Sequence, residues 1–463
     1  MSVKMRKFQE DAFKELENGQ SVLIVAPTGL GKTWAALEPF KKSIGQNGLL
    51  GTRLIYALPL RALARGVEEE CKNIGIEVVI HHGDKPESQF FSERAVITTI
   101  DQYLTAFAGA PLSWASHLSH AAAGAVLTSY SVFDEVHLLS PQRGLQLLFA
   151  MLYLRKRWGL LSCVMTATLP PSVIEFFREY CGLVVIKASE SDIEQRDSWR
   201  KVYLQLEGSK DKGEFKWDEK DEKSLAEFVK DKWDNWRDLG VDGLQKVIVF
   251  VNTVDRAIRV YDELRVLFQN QGGLEVILAH SRFTEDDRRN VEDKLTEFFG
   301  KNPRSDPAIL VTTQVAEAGL NISAPLVITE LCPMDSLIQR AGRCQRFKPD
   351  GSQELNGKVI VLKPAGDKWY VPYSDEVHLV EVSQDKKGKE KRNTSEWLPA
   401  IEFTQIVLEM EAGNQELLLN WQKEQELIEK ALDRLYYKAY LAGTTDVEFA
   451  KGEEPFSSLF TKY

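Results

Sequence analysis

The sequence predicts an α/β fold in which two tandem domains, each a parallel sheet flanked by helices, precede a small, mainly helical C-terminal region. Short apolar runs alternate with helical patterns over about residues 1–365, as in chains that form parallel sheets. A polar, charge-rich stretch interrupts this alternation near residue 190, and a long helical pattern follows residue 365. We therefore predict domains at 1–190, 191–365 and 366–463, the last being a lid or a partner interface.

Composition sets the broad class of protein. The chain has 463 residues, 43% hydrophobic and 27% charged, which is typical of a globular chain of two or three domains. Its net charge of −10 argues against a simple basic nucleic-acid binder, although phosphates can still be met in a local groove. No apolar stretch nears the roughly 18 to 20 residues of a membrane span, and no secretory signal is evident. Five scattered cysteines favour reduced thiols, so we expect a cytoplasmic protein without a membrane partner.

The first element with a chemical meaning is a glycine-containing loop. Residues 21–25 form an apolar, β-branched run that predicts a buried strand, residues 26–33 read APTGLGKT, and residues 34–37 predict the start of a helix. A strand, a glycine turn and a helix start are the context that supports a phosphate-binding loop. The usual first glycine of such a loop is Ala26 here, and an ordinary strand-to-helix turn is the alternative.

Each residue type in this loop suits a phosphate. Gly29 and Gly31 allow backbone N–H groups to converge on phosphate oxygens, and the helix N-terminus adds partial positive charge. Lys32 is expected to reach the β- and γ-phosphates of a nucleotide, and the Thr33 hydroxyl to ligate Mg²⁺. The loop therefore predicts ATP and Mg²⁺ as cofactors.

A pair of carboxylates follows about a hundred residues later. The mostly apolar run 125–133 predicts a strand that ends at Asp134, where α/β sheets place their ligands. We expect Asp134 to hold Mg²⁺ and Glu135 to orient and deprotonate the attacking water. His137 is expected to couple this site to the next domain. Taken alone, the string would be a solvated strand end.

Polar residues follow other predicted strands of the first domain. Strand 54–58 leads into Arg61, which can meet a nucleic-acid phosphate, and the strand near residue 97 ends in Thr98 and Thr99, whose hydroxyls suit sugar-phosphate contacts. Strand 161–165 ends in Thr166 and Thr168, which are expected to bond the acidic pair and link hydrolysis to domain movement.

A short histidine cluster, His81, His82 and Asp84, follows another predicted strand. It is weak evidence for a metal site, because no distant ligand set accompanies it.

The second domain is predicted to open at 200–204. Its further strands are expected at 246–251, 276–279, 308–311 and 325–329. Thr284 is expected to cap a helix. In the later segment QRAGRCQR, helical spacing would place Gln339, Arg343 and Arg346 on one face, with Arg340 pointing elsewhere. Two guanidiniums on one face suit a γ-phosphate supplied by the other domain, and a solvated basic helix is the alternative.

The ordered series Gln9, APTGLGKT, LPLRAL, TTIDQ, DEVH, TATLP, VFVNTVDRA, HSRFTEDDR, TTQVAEAGLNIS and QRAGRCQR resembles superfamily 2 helicases over about residues 1–365. Within them it is most similar to the helicase component of type I CRISPR systems. The resemblance implies two RecA-like domains that bind ATP between them, 3′-to-5′ movement on single-stranded DNA, and recruitment to a guide-RNA surveillance (Cascade-type) complex at its R-loop.

The resemblance also implies residue roles. Nucleotide contacts fall on Gln9, Thr28, Gly29, Gly31, Lys32, Thr33, Gly319 and Gln339. Nucleic-acid contacts fall on Arg61, Thr98, Thr99, Asn252, Ser281, Arg282 and Thr312. Coupling falls on His137, Thr166, Thr168 and Asn321. Gln9 would read the adenine, or else be a surface glutamine.

Departures from the family pattern are also visible. Relatives usually carry Asp at the position of Asn321, which puts the coupling role of that residue in doubt, and Gln345 stands at a position of the arginine motif that varies. Many relatives carry an HD nuclease domain ahead of the phosphate loop. Because the loop begins within the first thirty residues here, we expect the HD nuclease to be a separate subunit.

Past residue 365, residues 383–393 form a mostly basic loop that is either solvated or touches DNA. An apolar stripe predicts one long helix from Gln415 to Leu441.

Overall fold

Two parallel sheets, each in its own compact unit, organise the chain in the computed structural model. The structure describes residues 5–44, 50–83, 85–88, 90–110, 119–139, 144–207, 222–348, 353–362, 373, 376–384, 390–413 and 415–432. The boundary between the first compact unit and the second lies between Ile193 and Glu194. The division into domains at 1–190, 191–365 and 366–463 stays a prediction.

The first sheet has eight strands in the order β4-β3-β5-β2-β6-β7-β1-β8. All neighbours are parallel except β3 and β4. The strands are β1 (Val22–Val25), β2 (Leu54–Leu58), β3 (Val79–His82), β4 (Lys85–Pro86), β5 (Ala95–Thr99), β6 (Tyr130–Phe133), β7 (Ser162–Thr166) and β8 (Val184–Lys187). Strands β5, β2, β6, β7 and β1 are buried throughout, which explains why they read as mostly apolar runs rather than alternating ones.

Helices connect these strands. They are α1 (Lys7–Glu17), α2 (Lys32–Ile44), α3 (Ala64–Ile74), α4 (Ile100–Phe107), α5 (Ser119–Leu127), α6 (Gly144–Arg157), α7 (Pro171–Glu179) and α8 (Glu190–Asp197). Helix α1 buries Phe8, Ala12 and Leu16, which recur every four residues and share one face. One expectation was wrong: residues 125–127 end helix α5, and the strand begins only at Tyr130.

The second sheet has seven strands in the order β11-β12-β10-β13-β14-β9-β17. They are β9 (Arg200–Glu207), β10 (Lys246–Phe250), β11 (Glu275–Ala279), β12 (Ala308–Thr312), β13 (Leu326–Glu330), β14 (Leu355–Leu362) and β17 (Leu417–Leu419). All pairs are parallel except β9 with β17. The predicted strand at 200–204 is part of β9, the first strand of this sheet along the chain.

Helices of the second unit are α9 (Glu222–Asp234), α10 (Val254–Leu267), α11 (Glu285–Phe299) and α12 (Met334–Ala341). Thr284 caps α11 as predicted, because its hydroxyl accepts the N–H of Asp287. The core between sheet and helices includes Trp233, Val249 and Leu264, each almost fully buried.

The C-terminal region contains an antiparallel pair, β15 (Glu376–Gln384) with β16 (Glu390–Pro399), then α13 (Ala400–Glu411) and α14 (Trp421–Ile428). The predicted helix from Gln415 to Leu441 was wrong at its start, because Leu417–Leu419 pairs with β9 as a sheet edge. The leucines in this segment fit the apolar pattern of a helix or of a strand. The segment forms a strand because it pairs with the open edge of the second sheet at β9. Residues 433–441 lie outside the described part. Among the described helices, none is both long and apolar enough to cross a membrane.

Candidate nucleotide site and arginine turn

The phosphate loop runs from the end of β1 to the first turn of α2, as the sequence predicts. Gly29 and Gly31 have φ of +82° and +84°, the left-handed region that glycine adopts without strain. A Cβ atom at Gly31 would lie 2.8 Å from Nε2 of Gln9. The backbone angle therefore favours glycine at position 31, and a side chain there would also have to displace the Gln9 amide.

The Lys32 ammonium lies over its own loop. It is buried, 6% exposed, and donates to the carbonyl oxygens of Ala26 at 3.0 Å and Pro27 at 3.4 Å. Carbonyl oxygens are neutral acceptors, whereas a phosphate would give charge-assisted bonds of roughly twice the strength. Lys32 is thus placed where an anion can take over its hydrogen bonds.

Helix α1 braces the loop through Gln9 and Arg6. The Gln9 amide donates to the Gly31 carbonyl at 3.0 Å, and its oxygen accepts the Arg6 N–H at 2.9 Å. The Arg6 guanidinium donates to the Leu30 carbonyl at 2.6 Å. Gln9 is 6% exposed, so it is not a surface glutamine, and its contact with adenine stays a prediction.

Asp134 follows β6 and is buried beneath Tyr56. Its Oδ2 accepts the Tyr56 hydroxyl at 2.6 Å, and its Oδ1 accepts the Glu135 N–H at 2.8 Å. The Thr33 side chain is a further hydrogen-bonding neighbour of the same phenol, so the two predicted metal ligands meet at Tyr56. Burial, together with the adjacent Glu135 carboxylate, raises the pKa of Asp134 to about 7.

This donor set fits Mg²⁺. One carboxylate, one hydroxyl and substrate phosphates are the ligands that Mg²⁺ commonly takes in nucleotide sites. Burial and the neighbouring Glu135 disfavour the charged form of Asp134 more than Lys32 and Tyr56 favour it, so a bound cation would further stabilise the carboxylate. Within the described residues, no group of three or more His, Cys, Asp or Glu side chains forms a metal cage. Asp84 of the histidine cluster lies outside those residues.

Glu135 has a strained backbone. Its φ of 50° and ψ of 41° lie in the left-handed region, which costs a non-glycine residue about 1 to 2 kcal/mol. The conformation puts its carboxylate 3.4 Å from Nδ1 of His137. Burial lowers the pKa of His137 to about 4, so this imidazole is neutral at physiological pH. Strain at a predicted general base fits a catalytic position.

Two of the predicted coupling residues are linked to a third, His137. Nδ1 of His137 lies 3.2 Å from the Thr166 hydroxyl, and that hydroxyl accepts the Thr168 N–H at 3.3 Å. Because β7 lies between β6 and β1 in the sheet, Thr166 stands between the acidic pair and the phosphate loop. Among the contacts described, His137 thus connects Thr166 to Glu135.

Three of the residues predicted to contact nucleic acid are buried. Thr98, Asn252 and Thr312 are at most 3% exposed. The Thr98 and Thr312 hydroxyls donate to the carbonyl oxygens of His81 and Ala279 on neighbouring strands, and the Asn252 amide donates to that of Leu331. These side chains order the strand ends in this structure, and their contact with nucleic acid stays a prediction.

Other predicted contacts have different surroundings. Thr99 caps helix α4. Ser281 and Arg282 are exposed, and Arg282 pairs with Asp255. Arg61 is exposed and lies against Gly83, where a Cβ atom would be 2.7 Å from its guanidinium.

Residues 342–346, here called the arginine turn, follow the end of α12 at Ala341. The expectation that Gln339, Arg343 and Arg346 share one helical face was therefore wrong, because the helix stops before either arginine. Gln345 at φ 46° and the short bridge between Cys344 and Ala324 turn the chain away from the helix axis. Gln339 remains within α12 and is buried.

The two arginines of the turn face the loop at 317–321. Arg343 is 3% exposed and donates to the carbonyl oxygens of Leu320, at 2.7 Å, and Glu317. Gly319 shapes that loop with a φ of +85°. Nε of Arg346 donates to Oδ1 of Asn321 at 3.1 Å, so the amide that replaces the usual carboxylate still binds an arginine.

Arg340 does point elsewhere, into a buried polar network that the sequence does not reveal. Its guanidinium donates to Glu317 at 2.7 Å, Thr329 at 2.8 Å, Asn252 at 3.0 Å and the hydroxyl of Tyr373 at 3.2 Å. It is fully buried, and a buried guanidinium requires partners of this kind. The network ties α12 to the ends of β10 and β13.

Tyr56 is the other residue missed from sequence. A lone tyrosine in the aliphatic strand LIYAL is a weak signal, since a buried phenol needs a hydrogen-bond partner. Asp134 is 78 positions away, so the pairing appears only in the folded chain.

Two family models match the two units. The model for DEAD/DEAH box helicases matches residues 6–176, and that for the C-terminal part of the CRISPR-associated nuclease/helicase Cas3 matches residues 243–349. A putative CRISPR-associated nuclease/helicase Cas3 from Methanocaldococcus jannaschii is 28% identical over 407 aligned positions, covering 80% of this chain and 50% of that protein. The chain spans about half the length of this relative, and 44% of a CRISPR-associated endonuclease/helicase Cas3 from Thermus thermophilus.

Solved structures agree with the fold. T. fusca Cas3 with ATP has a TM-score of 0.64 at 20% identity, covering 94% of this chain and 52% of that one. A chain of a CRISPR RNA-guided surveillance complex in a pre-nicking state has a TM-score of 0.63 at 20% identity, covering 93% and 51%. These likenesses confirm the predicted tandem RecA-like domains. Matches in both units, with relatives and neighbours that agree, show that the chain belongs to the Cas3-like helicases and spans their helicase part.

Proposed function

We propose that this chain is an ATP-dependent translocase that moves 3′-to-5′ on single-stranded DNA in type I CRISPR interference. It would be recruited by a guide-RNA surveillance complex to its R-loop, act in the cytoplasm, and leave DNA cutting to a separate HD nuclease subunit. The alternatives are a repair or RNA helicase of the same superfamily, and an ATP-gated scaffold that recruits a nuclease without unwinding.

The observation that carries the proposal is the grouping of Lys32, Asp134 and Glu135 at one edge of the first sheet. Lys32 would exchange its carbonyl partners for the β- and γ-phosphates of ATP. Glu135 would accept the proton of the attacking water. When bound at Asp134 and Thr33, Mg²⁺ would supply positive charge that offsets the phosphate oxygens.

The second unit would contribute Arg343 and Arg346. Both are held near the loop at 317–321 by neutral acceptors, which a γ-phosphate could replace with stronger, charge-assisted bonds. Such arginines stabilise the charge of the transition state in phosphoryl transfer. A scaffold needs no residue to activate water, so the strained carboxylate at Glu135 favours the hydrolytic reading.

The partners are supported by the relatives. Curated relatives such as the one from Methanocaldococcus jannaschii are named CRISPR-associated, and one similar chain belongs to a surveillance complex. A net charge of −10 is compatible with binding single-stranded DNA, because a motor needs positive charge only where it contacts the DNA phosphates. The exposed Arg61, Ser281 and Arg282 are the predicted contacts that remain available to it.

Measurements of ATP turnover with and without single-stranded DNA test the proposal. We expect DNA to stimulate ATP hydrolysis more than RNA of the same length and base order does. Preference for RNA would contradict the DNA assignment.

A strand-displacement assay tests the motor itself. We expect the wild type to displace a strand ahead of its 3′-to-5′ movement, and Lys32→Ala to reduce ATP turnover by about a thousandfold. Equal unwinding by the two proteins would refute the mechanism. ATP turnover without movement would favour the scaffold.

A further inference from the structure

A buried charge cluster joins the C-terminal helix α14 to the start of β9. The Glu424 side chain of α14 is 4% exposed and its Oε1 receives two guanidiniums. Arg196, near the end of α8, donates to it at 2.8 Å, and Nη1 of Arg200, the first residue of β9, lies 3.5 Å away. One carboxylate thus contacts two guanidiniums, and Arg196 also pairs with Asp197 at 3.4 Å.

The same Arg200 supports the backbone of the arginine turn. Its Nη2 donates to the Ala341 carbonyl at 2.8 Å, and its Nε donates to the Cys344 carbonyl at 3.0 Å. These two carbonyls flank Arg343 on either side along the chain. The guanidinium therefore holds the segment that sets the direction of the Arg343 side chain, and it is itself 4% exposed.

Helix α14 is fixed in this position at its N-terminus as well. Asn420 caps the helix by accepting the Lys423 N–H at 2.8 Å, and the Trp421 N–H donates to Oδ2 of Asp197 at 3.1 Å. Asp197 directly follows Arg196, so the same short segment binds both the first turn of α14 and its Glu424. The helix cannot shift without disturbing these contacts.

We propose that Glu424 is a positioning residue for ATP hydrolysis, which acts through Arg200 to orient the Arg343 backbone. The C-terminal region would then set the position of an arginine that serves the transition state, in addition to any role as a lid. This inference rests on the proposed function, because it requires Arg343 to act on the γ-phosphate.

Electrostatics explain why the carboxylate matters. Burial, with the nearby Arg196 charge, lowers the pKa of Arg200 to about 10, so Arg200 is still protonated at neutral pH. Without Glu424, Arg196 would keep its pair with Asp197 at 3.4 Å, whereas the buried Arg200 would lose its carboxylate partner, and removing one partner of a buried pair is strongly unfavourable. Arg200 would then turn toward water and release the carbonyls of Ala341 and Cys344.

Glu424→Gln tests the proposal, with Glu426→Gln as the matched control. Glu426 lies on the same helix, is 38% exposed at its side chain, and pairs only with lysines in the contacts described. We expect Glu424→Gln to lower the kcat of ATP hydrolysis about tenfold to a hundredfold, since small misplacements of catalytic groups have effects of this size. The KM for ATP should change little, and the control should stay near wild type.

Affinity for a transition-state analogue separates positioning from mere anchoring. ADP with aluminium fluoride should bind Glu424→Gln at least about tenfold more weakly than wild type, whereas ADP alone should bind both proteins equally. If Glu424 only anchored α14, the melting temperature would fall while kcat and the affinity for the analogue stayed unchanged, and that result would overturn the proposal.

Two further variants keep the test decisive. In an Arg343→Ala background, Glu424→Gln should cause no additional loss of kcat, because residues that act as a unit are not additive; an equal further loss would overturn the proposal. If Glu424→Gln does not fold, Arg200→Lys retains the charge but cannot bond both carbonyls, and the same kcat loss is expected. Full activity in Arg343→Ala itself would instead refute the proposed role of Arg343.

Discussion

The polar centres of the two units differ in how their charges are satisfied. In the first unit, Lys32 rests on neutral carbonyls, and burial raises the pKa of Asp134 to about 7. In the second unit, Arg340 is fully buried against Glu317, and the carbonyl oxygens of the neighbouring loop hold Arg343.

This difference indicates a division of labour. In the first centre, the Lys32 ammonium attracts the Asp134 carboxylate, but burial and the neighbouring Glu135 outweigh this attraction, and the described hydrogen-bond partners of Lys32 are neutral carbonyls. Both features suit this centre to bind a nucleotide with its metal. In the second centre, Arg340 is paired with Glu317, and carbonyl oxygens of the neighbouring loop bind Arg343, the arginine that we propose acts in catalysis. We therefore expect the first unit to supply most of the ground-state binding and the second to act mainly on the transition state.

Removal of Arg343 should produce the largest effect and tests this division directly. We expect Arg343→Ala to lower kcat on the order of a thousandfold, as for arginines that complete phosphoryl-transfer sites, while the affinity for ATP falls only about twofold to threefold. Steady-state ATPase kinetics and equilibrium binding of a fluorescent ATP analogue measure the two quantities.

The control for this variant is Arg304→Ala. Arg304 is a surface arginine of the same unit that pairs with Glu297 and Asp306. It should leave both quantities near wild type. A large loss of ATP affinity in Arg343→Ala would break the division between the units.

Loss of the Glu135 carboxylate should come next. We expect Glu135→Gln to lower kcat about a hundredfold or more, because general bases contribute effects of that size, while nucleotide binding is retained. Single-turnover hydrolysis of bound ATP is the appropriate measurement. Retained turnover would refute the role of Glu135 as the base.

The backbone strain at Glu135 gives a second way to examine the same residue. Glu135→Gly removes both the carboxylate and the left-handed strain, so it should unfold at higher urea concentration than Glu135→Gln, by about 1 kcal/mol. Both should be equally inactive. Equal stability of the two would mean that the conformation at position 135 stores no strain.

Features that depend on neighbouring residues could be predicted from the sequence. The phosphate loop, the order of the buried strands and the Thr284 cap follow from short patterns of apolar, glycine and hydroxyl residues. The position of Asp134 just after a strand was also correct, although the strand itself begins at Tyr130. The sequence therefore predicted correctly that the motif residue Asp134 directly follows the end of a strand.

Features that depend on distant residues could not. Tyr56 with Asp134, and Arg340 with Asn252, are pairs far apart in the chain that meet only after both sheets form. The end of α12 at Ala341 was missed even though Gly342, a residue type that often follows a helix, comes next, and a left-handed Gln345 completes the turn. Burial of the Thr98 hydroxyl likewise follows from sheet register, which one sequence does not display.

The pH dependence of stability sharpens the description of the first centre. Asp134 has a folded pKa of about 7 against an ordinary value of 3.8, so the folded protein prefers its protonated form. That preference stabilises the fold at low pH and is lost as the pH rises through about 7. Without Mg²⁺, this group alone should make unfolding about 2 to 3 kcal/mol easier at about pH 8 than at about pH 5.

Asp134→Asn is the comparison that isolates this term. It should remove most of that pH difference in urea unfolding with a chelator present, and Asp306→Asn, a surface carboxylate, should not. Added Mg²⁺ should stabilise the wild type more at high pH, because the cation binds the deprotonated carboxylate. An identical pH profile for wild type and Asp134→Asn would contradict the raised pKa.

The smallest expected effect concerns the hydrogen bond between Arg346 and the neutral amide of Asn321 in the second unit. Asn321→Asp would convert the 3.1 Å hydrogen bond to Nε of Arg346 into an ion pair, which at an exposed position adds up to about 1 kcal/mol. If Arg346 must leave this partner to reach the γ-phosphate, kcat should fall about twofold to fivefold, and the loss should shrink as salt screens the pair. Asn290→Asp, an exposed position on α11, adds the same charge away from the turn and should have no effect. A rise in kcat would mean instead that the carboxylate aids the arginine, and that Asn321 lowers the hydrolysis rate of this chain.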